Sequence, residues 1–323
     1  MSIKRVLINA ALVLCLMLAA YLLYRVFSRY TLSDVMESIR AIPGTRILGS
    51  LGFAAASYLC LTGFDWMALR YAGKPLSYPK AALTSFTSLS IGHNLGFAAL
   101  SSGAVRYRFY SRWGLNAEEV AKVILFCGAT VGIGLSTLAG IVLLINPEDA
   151  ANLLKLSPAG LFALGCVCLS LPAVYIVLSV VIRTPLHLWK WSFEMPRPKL
   201  ALGQVVIGTL NFVFVAACLH QMLAAQGETS YVQTATAYVL ANIAVLIAHV
   251  PGGLGVIEAT VSYVLPGAAS IGALVAFRAI YFLIPLLIGL PVFAISEAVI
   301  PKRKQDSSED RSQQSTQAQT QLL

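Results

Sequence analysis

Nine stretches of 18 or more residues without a single Lys, Arg, Asp or Glu make up most of this chain: Val6–Tyr24, Ile47–Phe64, Ala81–Val105, Val123–Pro147, Leu156–Ile182, Leu200–Gly227, Thr229–Ile257, Ala259–Phe277 and Ala279–Ser296. About 20 apolar residues carry a helix across the hydrocarbon core of a bilayer. The expectation is an all-α, polytopic integral membrane protein of about six to eight spanning helices, with one or two re-entrant hairpins. Charged residues are 11% of the chain, against about 25% in ordinary soluble domains, which leaves no room for a soluble domain of any size. Residues 1–301 therefore read as one membrane domain. The tail KRKQDSSEDRSQQSTQAQTQLL, residues 302–323, is too polar to bury a core and reads as disordered.

Val6–Tyr24 follows Lys4 and Arg5 and is followed by Arg25 and Arg29. Without a convincing small-residue cleavage site, it reads as a retained first helix. The six cysteines all lie in apolar stretches and show no metal-type spacing, so they read as small core or lipid-facing residues. No metal and no cofactor is expected.

The net charge of +9 speaks first of orientation. With the N-terminus inside, the basic residues before Val6, those in 70–80, 106–122 and 183–199, and those of the tail share one side. Arg25, Arg29, Arg40, Arg46 and Lys155 fall on the other. The positive-inside rule then places both termini in the cytoplasm, and a basic inner face attracts anionic lipid. Nucleic acid is not an expected partner, because these charges are spread over short loops.

Two stretches are broken. Ala81–Val105 carries Ser, Thr, His, Asn and three glycines between basic flanks, which predicts a re-entrant hairpin entered from the basic side. Thr229–Phe277 breaks at Val250–Gly255, and the sequence leaves open whether its arms cross or re-enter from the opposite side. The likeness of IGHNLG around His93 to IAHVPGGLG around His249 adds the expectation of an inverted repeat.

The candidate binding residues gather at these breaks. Pro251, Gly252, Gly253 and Gly255 would bare backbone N–H groups and start a helix near Gly255. Glu258 then reads either as a capping carboxylate or as a buried acid facing a cationic or protonatable group. Arg106 and Arg108, interleaved with Tyr107, Phe109, Tyr110 and Trp113, read as interfacial anchors or as a phosphate clamp. Arg278 reads as a snorkelling residue at the outer end of the last helix, or as a second phosphate contact. His93 and His249 read as core or ligand residues. Asp65, close before Arg70, reads as an interfacial anchor or ion pair, and Gly128-x-x-x-Gly132 with Gly134 and Gly140 as a helix-packing face. The sequence holds no GxSxG, HExxH, P-loop or Cys/His metal cluster, so catalytic residues are not expected.

GHNLGF, SSGAVRYRFYSRWGL followed by NAEEV, AHVPGGLGVIEA and FRAIYFLIPLLIG together resemble the lysylphosphatidylglycerol synthase transmembrane region, the membrane domain of the multiple peptide resistance factor. The resemblance implies a bacterial inner-membrane protein that moves an anionic or aminoacylated phospholipid between leaflets. The family's cytosolic transferase domain has no counterpart in this sequence, so synthase activity is not implied. A different expectation is an accessory membrane subunit for a separately encoded lipid-modifying or envelope protein. An enzyme acting on a lipid headgroup would need a paired catalytic constellation, which the sequence does not offer.

Overall fold

The computed structural model describes residues 33, 36–37, 40–95, 98–145, 147, 151, 157–182, 186–188, 191–248 and 253–300. The stretch Val6–Tyr24, the tail, and His249, Pro251 and Gly252 lie outside the described residues. Among the described residues the long apolar runs fold as helices, which satisfy each backbone group within the segment where there is no water. In chain order these are α1 (Gly44–Tyr71), α2 (Tyr78–Leu95), α3 (Ala98–Tyr110), α4 (Ala117–Ile145), α5 (Pro158–Val181), α6 (Pro198–Leu223), α7 (Tyr231–Ala248), α8 (Val256–Val264), α9 (Ile271–Arg278) and α10 (Ile284–Val299). A 3₁₀ turn, Ser111–Trp113, follows α3, and a π-helical turn, Ala279–Leu283, joins α9 to α10 without interruption. A small antiparallel hairpin, Leu186–Leu188 with Trp191–Phe193, sits in the loop before α6. Among the described residues, α1, α4, α5, α6 and the continuous helix Gly272–Val299 are long and apolar enough to cross a membrane. The chain is thus a multi-pass, all-α membrane protein.

Local signals set the helix starts. Asn116 and Glu119 cap α4 reciprocally, each side chain accepting from the other's backbone N–H at 2.8 Å. Ser157 and Ser270 cap α5 and α9 by accepting from Gly160 N and Ala273 N.

The core of the bundle is the antiparallel pair α1 and α6. Arg46 donates to Gln221 at one end, Ser50 to the Cys218 carbonyl and Ser57 to Asn211 further along, and Gly203 faces Met67 near the other end. The second of these ends carries the basic loops. There Tyr71 donates to the Glu194 carbonyl, Lys74 pairs with Glu119 at 3.5 Å, and Arg112 donates to the carbonyl of Ile300. The opposite end joins Arg46 to Gln221 and Ser270 to Gln226.

Both broken stretches return to the end they came from. Helices α2 and α3 fold back on each other from the basic end, where Ser77 and Trp113 flank them. The second break, left undecided by the sequence, is also re-entrant. Helix α8 has nine residues, about 13 Å at 1.5 Å per residue, far short of a ~30 Å core. Its exit also meets its entrance: a Cβ on Gly227 would lie 2.8 Å from Cα of Ala268. The order is therefore a spanning helix, a hairpin from the basic end and a spanning helix, then the same sequence upside down from α6 onward, with α5 between the halves. This is inverted-repeat topology.

The expected glycine face on α4 is only half correct. A Cβ on Gly134 would sit 2.3 Å from the backbone of Gly208, and one on Gly140 would strike Leu169 and the Gly165 carbonyl. Gly128 and Gly132 face open space, because α6 and α5 pass along a different stripe of α4. Gly134→Ala is expected to destabilise the protein by about 1–3 kcal/mol through overpacking. Gly128→Ala and Gly132→Ala are expected to be neutral or stabilising by up to about 1 kcal/mol. Thermal unfolding of the purified variants in detergent measures both.

Candidate functional site

Polar side chains gather at half the length of the spanning helices. Ser57 in the middle of α1 donates to Asn211 Oδ1 in the middle of α6 at 2.7 Å, and its hydroxyl lies 2.9 Å from that of Tyr281 in the π turn. The π turn supplies exposed carbonyls for local reasons. Pro285 has no N–H to give the Tyr281 carbonyl four residues back, and the Tyr58 hydroxyl reaches that carbonyl instead, at 3.5 Å. Asn94, at the deep end of α2, donates to the Phe282 carbonyl at 3.3 Å and to Ser90 O at 2.9 Å. Beside it the His93 ring stacks on Tyr281 and meets Tyr58 and Phe282 edge-on. The buried Nδ1 of His93 has no hydrogen-bond partner among the described residues. π-turns inside helices are frequent at functional sites, and a buried polar atom left unpaired demands an explanation.

The arm of α2 that leads to His93 is lined with hydroxyls inside the protein. Thr84, Ser85, Thr87, Ser88 and Ser90 are all fully buried, and the hydroxyls of Thr84 and Thr87 have no partner among the described residues. Close packing makes this seam tight: a Cβ on Gly289 of α10 would fall 1.9 Å from Ser90 Oγ.

Each hairpin is tied through its returning arm to a spanning helix by a buried bidentate ion pair. In the first, Arg106 of α3 donates from Nε and Nη2 to the two oxygens of Asp65 on α1, at 2.9 and 2.8 Å. Nη1 goes to Ser102, and Tyr110 donates to the same carboxylate at 2.7 Å. Arg106 is 3% exposed and Asp65 not at all. In the second, Glu258 of α8 pairs with Arg278 of α9, one contact being 2.9 Å from Nη2 to Oε2. Arg278 also donates to the Gly253 carbonyl at 2.8 Å, and Glu258 accepts from Gly255 N at 2.9 Å. Gly253 and Gly255 have φ of 60° and 82°, a left-handed region open to glycine, which aims that N–H and carbonyl at the ion pair.

A third cluster lies at the basic end. Glu297 near the end of α10 takes both oxygens to Arg108, at 2.9 and 2.7 Å. It also pairs with Arg112 at 2.6 Å. Arg112 caps α10 by donating to the carbonyls of Ser296 and Ile300.

Several sequence expectations change on this geometry. Arg278 does not snorkel at a helix end: it is 5% exposed and sits eight residues into a continuous helix, because nothing between Ile271 and Leu283 breaks it. Asp65 pairs with Arg106 and not with Arg70, whose guanidinium stacks on Trp66 at 3.3 Å. Arg106 and Arg108, adjacent in the pattern, diverge: the first faces α1 inside the bundle, the second faces α10. Glu258 serves as cap and as ion-pair partner at once. His93 and Gly253 lie at the site, whereas His249 and Gly252 fall outside the described residues. Sequence reasoning missed Glu297, Tyr58, Tyr281, Asn94 and Asn211. The one signal available for Glu297 was a lone carboxylate ending an apolar run.

Residues 7–289 match the family model described as the lysylphosphatidylglycerol synthase TM region. The chain is similar to "Uncharacterized protein slr0712" of Synechocystis sp., with 30% identity over 87% of this chain and 89% of that protein. It is also similar to "Inner membrane protein YbhN" of Escherichia coli, with 27% identity over 83% of this chain and 86% of that protein.

Removing one partner of a buried ion pair leaves the other charge stranded, which costs about 3–5 kcal/mol. Asp65→Asn alone is therefore expected to lower thermal stability sharply. Asp65→Asn combined with Arg106→Gln removes both charges and should recover much of the loss. Melting curves of the single and double variants decide this.

Proposed function

Because the chain belongs to the lysylphosphatidylglycerol synthase transmembrane-region family, we propose that it is a lipid translocase that carries an anionic or aminoacylated phospholipid headgroup between leaflets. The observation that carries the reading is a histidine with an unpartnered ring nitrogen at the deep end of the first hairpin, stacked on a π turn midway along the bundle, in a fold whose second hairpin enters from the opposite end. Transporters of inverted-repeat architecture bind substrate at that depth, where discontinuous helices bare polar backbone. Ionisable groups held inside a membrane mark substrate paths, since their burial is otherwise unfavourable. A phospholipid needs a polar route for its headgroup alone, because its acyl chains can stay in the surrounding lipid. The hydroxyl seam of α2, from Thr84 to Ser90 and on to His93, is closed by packing in this conformation, and supplies such a route on the side of the basic end when α2 parts from α10.

In this reading the basic end faces the cytoplasm. Arg70, Lys74, Lys80, Arg112 and Lys122 cluster there, as the positive-inside rule favours, and they gather anionic lipid at the entrance. The ion pairs Asp65–Arg106 and Glu258–Arg278 then hold one hairpin each, so that each half moves as a body about the central α1–α6 pair. His93 receives the phosphate or the amine of the headgroup, and no group in the seam performs covalent chemistry.

Reconstitution into liposomes tests this. With labelled phosphatidylglycerol and its lysyl derivative in one leaflet, the wild-type protein is expected to speed exchange well above protein-free vesicles. His93→Ala, which leaves both ion pairs in place, is expected to bring exchange back to the protein-free rate in a protein that still melts cooperatively, at a temperature lowered only by the loss of the packed ring. Failure of folded wild type to exchange either lipid, or full exchange by His93→Ala, overturns the proposal.

A further inference from the structure

The three ion clusters are not alike. Asp65–Arg106 and Glu258–Arg278 each set one carboxylate against one guanidinium, and their arginines are 3% and 6% exposed. At Glu297 one carboxylate faces two guanidinium groups, so the cluster holds an unbalanced positive charge. It is also open: Arg108 is 19% and Glu297 20% exposed, with Arg112 at 5%. Both arginines come from consecutive turns of one segment, four residues apart, which puts them on one face. Arg112 is locked by its two α10 carbonyls, so its remaining nitrogens are aimed before any ligand arrives. Tyr107, 46% exposed, and the Trp113 ring under Lys80 Nζ at 5.5 Å place the cluster at the level of headgroups, where amphipathic aromatics collect.

We propose that Arg108 and Arg112 form the entry site for the phosphodiester of a lipid headgroup, and that Glu297 is the resident anion which the phosphate displaces. A carboxylate and a phosphodiester offer an arginine fork the same pair of oxygens. A phosphate therefore fits where Glu297 now sits, with an oxygen for each guanidinium. Displacing Glu297 also removes the carboxylate tie between α10 and the first hairpin, leaving the Arg112–carbonyl bonds and the Phe109–Phe293 contact to join them there. The phosphate seat thus belongs to Arg108 and Arg112, and Arg106 takes no part in it. The lipid as source of the phosphate rests on the translocase reading. The anion seat itself rests on the geometry alone.

Binding tests this without any transport. The full chain in a neutral detergent is titrated with dihexanoyl phosphatidylglycerol, with dihexanoylglycerol lacking the phosphate, and with inorganic phosphate, following thermal stabilisation. Wild type is expected to be stabilised by the phospholipid and not by dihexanoylglycerol. Glu297→Gln, and Glu297→Asp as a shorter carboxylate unable to serve both arginines, should bind the phospholipid about fivefold more tightly or better. Arg108→Gln with Arg112→Gln should abolish the stabilisation. Unchanged or weaker binding in both Glu297 variants overturns the displacement. Unchanged binding in the double arginine variant overturns the site. Equal stabilisation by inorganic phosphate assigns the seat to a free anion and overturns the headgroup. Tighter binding by Glu297→Gln in a protein that exchanges no lipid would leave this site standing and sink the translocase reading alone.

Discussion

Hydrocarbon offers no water to a broken helix, and that constraint governs this protein. A backbone that turns back halfway through a membrane leaves carbonyls and N–H groups without partners, and these must be met by the protein itself. Here each returning arm is fixed by a bidentate arginine–carboxylate pair, Asp65–Arg106 for the first hairpin and Glu258–Arg278 for the second. The second pair also gathers loose backbone, taking the Gly253 carbonyl and the Gly255 N–H. Buried ion pairs are a weak source of net stability, since desolvation offsets most of the attraction. Their worth lies in geometry: a fork of two parallel bonds admits one orientation of the arm.

From those two anchors the centre follows. With both hairpins held, the deep end of α2 reaches the π turn between α9 and α10. Tyr58 and Asn94 meet its carbonyls, and His93 is left stacked on Tyr281 with one nitrogen unpaired. Proline at 285 makes the turn possible by leaving a carbonyl free, and glycine at 289 lets Ser90 of α2 pack closely against α10. Sequence, backbone irregularity and site are linked through these few residues.

Much of this was legible beforehand. Runs of uncharged residues gave the spans, and the glycines, histidine and asparagine inside Ala81–Val105 marked the first hairpin, since no lipid-facing helix would carry them. The second hairpin was ambiguous because Thr229–Phe277 is long enough to cross twice. Only the nine-residue length of α8 and the contact of Gly227 with Ala268 decide it. Which arginine meets which carboxylate was not legible, because partners 41 and 189 residues apart leave no local pattern. Arg278 looked like a helix end for the same reason: a charge after an apolar run has the same appearance at a surface and in a buried pair.

The central claim is that the two hairpins enter the membrane from opposite faces. Single cysteines at Ser77 and at Glu228, placed in an otherwise cysteine-free chain, report this directly through a membrane-impermeant maleimide applied to intact cells and to inverted vesicles. The account predicts labelling of the Ser77 position only in inverted vesicles and of the Glu228 position only in intact cells. Labelling of both positions from the same face would contradict it.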